Sequence, residues 1–303
     1  MFRPKILRWL LLAAALSLAA AIGVSAFFAW QFTGPQRKAP RPLPADFGFP
    51  VEAVGFTSAD GVPLKGWFVP CAGSTRGAVL LHGNGSTRSQ MTARARLLRQ
   101  AGHAVLLYDA RGHGESGGEL VSVGWYETRD LEAALAFLRA QGCTSIGCIG
   151  ASQGGATIAL SGARLGRIDW AVLEGVYPDI ATALDRRFRH AVFLPGRVAG
   201  LFLTPLAGWR LGVDVDDIAP VKTIAQLPCP VLIMGGDRDV HTSVEDTQAL
   251  FAAAGEPKEL WLVPGAGHVD LYGYAQQAYA DRLLAFIAKT QSALEGVARQ
   301  ERR

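Results

Sequence analysis

Three residues of this 303-residue chain have the types and settings to do chemistry together: Ser152, His268 and an aspartate near 239. Ser152 lies in Ile149-Gly150-Ala151-Ser152-Gln153-Gly154-Gly155, a G-x-S-x-G pattern. An apolar strand-like run, SIGCIG (145–150), precedes it and helix-forming SQGGATIALSGARL follows. That setting suits a sharp strand-to-helix turn that lifts a serine hydroxyl above a sheet edge. The glycines let the backbone turn where a side chain would collide. The first helical N–H, from Gln153, then points at an oxyanion formed on the substrate. The competing reading is a glycine-rich turn that holds a phosphate.

An unactivated hydroxyl is a poor nucleophile at neutral pH, so Ser152 needs a base. Of the six histidines, His268 sits in Gly265-Ala266-Gly267-His268, after the last strand-like run. A serine-acid-histidine chain order requires such a late position. His82 and His113 are read as bracing their loops, His103 lies at a strand entrance, and His190 and His241 lie in or near loops. The acid is sought in Met234-Gly235-Gly236-Asp237-Arg238-Asp239. Spacing from the strand favours Asp239, third after Gly236. Asp237 is the alternative, and Asp270 and Glu245 are remoter. The acid would accept the His268 N–H, fix its tautomer and stabilise the imidazolium. His82-Gly83-Asn84-Gly85 follows the apolar run 78–81, and its turn would supply a second oxyanion N–H from Asn84.

Elements that could position these groups alternate along the chain. VEAVGF and LKGWFVP read as short strands around the turn Ser58–Gly61. Further strands are expected at 78–83, 104–109, 145–150, 169–175, 230–236 and 258–265, eight in all. Helices are expected at 89–101, 125–140, 152–165, 244–254 and 273–290. Continuous apolar strands alternating with helices imply a mostly parallel sheet covered on both faces. Residues 178–226 break the alternation with helical segments cut by Pro195, Gly196, Pro205 and Gly208. They are read as an inserted cap rather than as disorder.

The N-terminus reads differently. Residues 9–32 carry no charge over 24 positions, enough to cross a ~30 Å hydrocarbon core. Trp9, Phe27, Phe28, Trp30 and Phe32 lie near the two ends, as an aromatic belt would. A retained anchor is expected, with the large domain on the extracytoplasmic side. The alternative is a signal segment cleaved near Ala26, after Val24-Ser25-Ala26. Residues 1–8 form a basic head, 33–45 a Pro-rich linker, 46–292 the main domain and 293–303 a polar tail. Residues 1–42 hold six basic side chains and no acidic one, leaving 24 basic against 26 acidic in 43–303. The near-neutral main domain gives no support for nucleic-acid binding. Cys143 and Cys148 bracket a strand and are too far apart for a disulfide. Any pairing of Cys71 with Cys229 is left open.

These motifs together give the chain a family likeness. HGNG (82–85), YDARGHGESGG (108–118), GASQGG (150–155), PVLIMGGDRDV (230–240) and GAGH (265–268) resemble the α/β-hydrolase superfamily of serine hydrolases over residues ~50–290. They are most similar to its serine aminopeptidase-like, lysophospholipase-like and protein-depalmitoylating thioesterase branch. The resemblance implies an α/β-hydrolase fold with an eight-stranded, mostly parallel sheet. It implies ester, thioester or peptide hydrolysis by Ser152, Asp239 and His268, without metal or cofactor. Asn84 and Gln153 would form the oxyanion hole, a contact worth about 3 kcal/mol per donor. The apolar cap and the membrane helix point to a hydrophobic acyl or lipid ester as substrate. Acyl transfer is an alternative on the same residues, and a non-catalytic, membrane-tethered binding protein is another. The cap, residues 178–226, matches no pattern of that family.

Overall fold

Alternate residues of a strand point to opposite faces, so a sheet buried on both sides needs runs that are apolar throughout. The central strands meet this demand. A computed structural model describes residues 4–192 and 196–300. Its strands are β1 (Glu52–Thr57), β2 (Pro63–Val69), β3 (Arg76–Leu81), β4 (Ala104–Tyr108), β5 (Ser145–Ala151), β6 (Trp170–Glu174), β7 (Val231–Gly236) and β8 (Lys258–Val263). They form one eight-stranded sheet in the order β1-β2-β4-β3-β5-β6-β7-β8. β1 and β2 pair antiparallel, as do β2 and β4. All other pairs are parallel.

The helices are α1 (Pro4–Thr33), α2 (Thr92–Gln100), α3 (Glu127–Ala140), α4 (Gln153–Ser161), α5 (Ile180–Val192), α6 (Gly196–Leu211), α7 (Pro220–Thr223), α8 (Val244–Ala253) and α9 (Leu271–Gln300). On one face of the sheet, Val79, Leu106, Cys148 and Leu173 pack with Leu131 and Leu135 of α3 and Ile158 of α4. On the other, Leu80, Leu107, Ile149 and Val172 pack with Leu98 of α2 and Tyr279 and Leu283 of α9. Gly147 sits beside Trp170 across β5 and β6. A Cβ there would lie 2.0 Å from the indole, so glycine is what admits the buried tryptophan.

Residues 178–226 contain helices and no strand among the described residues. Pro205 lies inside α6 rather than ending it, while Pro195 lies outside the described residues. The α9 helix starts two residues earlier than expected, kinks at Ala275 and continues to Gln300. It therefore crosses the boundary placed at 292. All four cysteines are free.

The N-terminal helix has two parts. Side chains 5–24 are exposed throughout, a stretch of ~30 Å at 1.5 Å per residue. From Ser25 onward one stripe turns inward: Ser25, Ala29 and Thr33 are buried and Phe28 and Phe32 half-buried. Here α1 runs against α6. The Trp30 and Trp209 rings lie 6.1 Å apart, and the Arg210 guanidinium covers Trp30 at 4.3 Å. The segment after it is not a free spacer. The Gln36 N–H donates to the Gly112 carbonyl at 2.6 Å. Arg37 donates to the carbonyls of Ser116 and Gly118, both at 2.9 Å, and pairs with Glu119. Lys38 donates to the Gly85 carbonyl at 3.1 Å.

Candidate active site

The carboxyl ends of β3, β5, β6, β7 and β8 share one edge of the sheet, where ligands bind in open α/β sheets. β5 delivers Ser152. Its backbone is at φ 49°, a rare setting for a residue with a side chain. The Ser152 N–H donates to the Glu174 carbonyl at 2.7 Å, fixing the turn to the next strand. Two glycines make the turn possible. A Cβ on Gly154 would lie 2.4 Å from the Leu81 carbonyl oxygen, and one on Gly150 2.3 Å from the Gly154 backbone. α4 then begins at Gln153, whose N–H is one of the unpaired donors of a helix N-terminus.

The loop after β7 carries Asp239, which is 6% exposed. Its Oδ2 is 2.7 Å from Nδ1 of His268. Its Oδ1 accepts the N–H groups of His241 and Thr242, both at 2.8 Å. A carboxylate only accepts, so His268 carries its proton on Nδ1 and leaves Nε2 as the basic nitrogen. Asp237 is exposed and accepts the Gly265 N–H at 2.6 Å. Asp270 pairs with Arg94, and Glu245 lies in the first turn of α8. The structure thus joins His268 to Asp239 by a hydrogen bond, and both to Ser152 as walls of one pocket.

The turn after β3 places Asn84 beside Ser152 and Gln153 in a second cavity. Its Gly83 N–H is taken by Gln90, its Gly85 N–H by His113 and its Ser86 N–H by the Gly83 carbonyl. The amide of Asn84 is the donor these bonds leave over. His82 holds the turn from below. Its Nε2 accepts the Ala110 N–H at 3.0 Å, so Nδ1 donates to the Gly83 carbonyl at 2.8 Å. Burial, with His113 close by, pushes its pKa down to about 3. Protonation would also set a second donor against the Ala110 N–H. A neutral, fully engaged His82 braces the loop and is not available as a base. Burial likewise lowers His113, and burial with Arg76 nearby pushes His103 down to about 4. His241 packs edge-on against His268 at 5.5 Å. The side chain of His190 lies outside the described residues.

Sequence reading missed a buried ion pair beneath Ser152. Arg94 of α2 and Glu174 at the end of β6 are 1% and 3% exposed. The guanidinium donates to Glu174 through Nε at 2.8 Å and Nη2 at 2.5 Å, and Tyr279 also donates to the carboxylate. Burial works against the Arg94 charge. Glu174, Tyr279 and Asp270 together outweigh it and hold the guanidinium protonated well above its ordinary range. Removing Glu174 leaves the buried guanidinium with only the part-exposed Asp270, 2.7 Å away, as counter-charge, and breaking a buried pair costs up to about 3–5 kcal/mol. Glu174→Gln is therefore expected to lower unfolding stability by about that much. Denaturant unfolding checks it. The double variant Arg94→Met/Glu174→Leu should recover much of the loss, and equal losses in both would contradict this assignment.

Residues 78–282 match the Alpha/beta hydrolase family. An uncharacterized protein of Mycobacterium tuberculosis is 30% identical over 85% of this chain and 84% of its own. The esterase Pf2001 of Pyrococcus furiosus superposes with a TM-score of 0.73 at 25% identity, over 85% of this chain and 98% of that one. The α/β hydrolase GrgF of a Penicillium species shares the fold, with a TM-score of 0.65 at 20% identity over 80% and 99% of the two chains. With a family match over most of its length and the family's sheet around the site, this chain belongs to the alpha/beta hydrolase family.

Proposed function

We propose that this hydrolase is a membrane-tethered serine esterase or thioesterase that works through an acyl-enzyme on Ser152. One observation carries the reading: His268, bonded to Asp239, faces Ser152 across one pocket, with Ser152 on a strained strand-to-helix turn. The Ser152 Oγ attacks the substrate carbonyl carbon while Nε2 of His268 takes its proton. The oxyanion that forms lies against the N–H groups of Asn84 and Gln153, and the positive end of the α4 dipole adds to their pull. Collapse breaks the bond to the leaving alcohol or thiol, which takes the proton back from His268. Water then attacks the acyl group, gives a proton to His268 and releases the acid, and Ser152 regains its proton. Asp239 keeps the imidazole in the required tautomer throughout.

Support for the tether comes from α1, which is long and apolar enough to cross a membrane. Cleavage near Ala26 would cut this helix inside the stripe that packs on α6, which favours retention over removal. The short N-terminal head before the helix supports placing the working domain on the extracytoplasmic side. Hydrolysis of p-nitrophenyl butyrate by cells producing the full chain is expected to sediment with membranes, survive an alkaline wash and be released by detergent. Activity in the soluble fraction would contradict the tether. Absence of ester and thioester turnover in every fraction would contradict the hydrolase.

A further inference from the structure

The cavity that meets the catalytic pocket at Ser152 has an unusual wall. It is lined by Asn84, Ser152 and Gln153, by the apolar or aromatic Val123, Tyr177, Ile180 and Leu184, and by Arg187. Its remaining wall includes Phe32, from the last turn of α1. We infer that the membrane helix is itself part of the substrate site. Phe32 closes the acyl pocket, which encloses only about 40 Å³, so the first carbons of the acyl group lie in it and the rest of a long hydrocarbon chain drawn from the bilayer runs out past Phe32. The inference rests on the esterase reading of Ser152 given above.

Three sets of observations carry it. The first is chemical. The cavity holds the proposed nucleophile and both proposed oxyanion donors, so whatever fills it is attached to the carbonyl carbon under attack. Apart from Arg187, its other walls are apolar or aromatic, which suits the acyl chain rather than a polar leaving group. The other pocket, with His268, Gln90 and Arg94, is the polar one, where a departing alcohol or thiol would be protonated.

The second is backbone strain. Among the described residues, Val123 and Ser152 are the two non-glycine positions with positive φ, at 53° and 49°. Both line this cavity. A β-branched residue in that region is disfavoured and persists only where its surroundings hold it. The Tyr177 hydroxyl holds it by donating to the Val123 carbonyl, and Tyr177 is a wall residue too. The walls are built, not incidental.

The third is the geometry of entry. The fully exposed stretch of α1 ends at Val24, eight residues before Phe32, or ~12 Å along a helix. The cap extends the same apolar surface. Leu201 and Trp209 of α6 are 64% and 75% exposed, and the Trp209 ring lies tilted beside Trp30 on α1. Aromatic side chains of this kind sit at the membrane–water boundary. The docked linker fixes α1 to the catalytic loops through Gln36, Arg37 and Lys38, and Lys38 grips the Gly85 carbonyl next to Asn84. Anchor, cap and oxyanion turn therefore form one rigid mouth at the bilayer surface. A chain leaving the lipid between α1 and α6 passes Phe32 to reach Ser152.

The test is a panel of p-nitrophenyl acetate, butyrate, octanoate and laurate on the full chain in detergent micelles. It compares wild type, Phe32→Trp, Phe32→Ala and Ser152→Ala. Filling an apolar pocket by the bulk of an indole discriminates by about tenfold or more. Phe32→Trp is expected to lower the laurate-to-acetate ratio of kcat/KM about tenfold. Phe32→Ala is expected to move the ratio the other way. Unchanged ratios in both variants, or equal losses on every ester, would overturn the role of Phe32. If Ser152→Ala abolishes turnover in that same panel, the esterase reading survives that failure. If Ser152→Ala retains turnover, both readings fall.

Discussion

Replacing Ser152 with alanine is expected to lower kcat on p-nitrophenyl butyrate by about a millionfold, with the fold intact. The size follows from the serine's position. In the proposed mechanism it supplies the attacking oxygen, and without that oxygen the other groups can act only on a water they were not built to hold. Loss of the nucleophile alone therefore costs about as much as loss of the whole triad. What remains comes from the oxyanion donors and binding. Alanine is the right replacement because it removes only the hydroxyl and keeps the backbone N–H bond to the Glu174 carbonyl. Far-UV circular dichroism and an unfolding curve matching the wild type check the fold. A variant retaining more than about a hundredth of wild-type kcat would sink the account.

Asp239→Asn is expected to cost about four orders of magnitude in kcat, with little change in KM. The carboxylate accepts from Nδ1 of His268 and from two backbone N–H groups. An amide in its place must keep accepting those backbone protons through its one oxygen. Its NH2 group then faces His268 and forces the proton to Nε2, the nitrogen that must take the proton of Ser152. The base is lost although its position is kept. Asp237→Asn is the matched control. Asp237 is exposed and only receives the Gly265 N–H, so the expected change is within about 0.5 kcal/mol, or roughly twofold in rate. Equal losses in the two variants would mean that the site does not depend on the Asp239 bond.

The contrast between those aspartates shows what the sequence made legible. The strand ends in Gly235-Gly236, and a side chain on Gly236 would meet the Ala266 carbonyl oxygen at 2.2 Å. That close approach fixes where the loop leaves the sheet, so counting residues from the glycine indicated which aspartate turns inward. The sharp turn at Ser152 was legible for the same reason, since Gly150 and Gly154 are demanded by contacts between neighbouring strands and α4. The sheet was legible because its central strands are apolar on both faces.

Other parts had no local signal. Arg94 belongs to an arginine-rich helix, and its burial depends on Glu174, 80 positions away in sequence. The docking of α1 on α6 was hidden because 9–32 is apolar all round, so lipid-facing and protein-facing sides look alike. The segment 33–45 looked like a mere linker because, apart from the exposed Arg37–Glu119 pair, the bonds that dock it on the catalytic loops run to the backbone carbonyls of Gly85, Gly112, Ser116 and Gly118, which no side-chain pattern announces. Helical propensity carried α9 past 292, through alanine, leucine, glutamate and glutamine. That stretch has no apolar stripe to mark it.

The covalent intermediate is the most direct test of the central claim. An activated ester such as p-nitrophenyl butyrate acylates faster than water deacylates, because p-nitrophenolate leaves readily. Acid-quenching the full chain during turnover, followed by peptide mass analysis, should find one butyryl group on Ser152. A burst of p-nitrophenol stoichiometric with enzyme should accompany it. In Ser152→Ala both signals should vanish. Steady turnover with no acylated Ser152, or with the acyl group on another residue, would contradict the account.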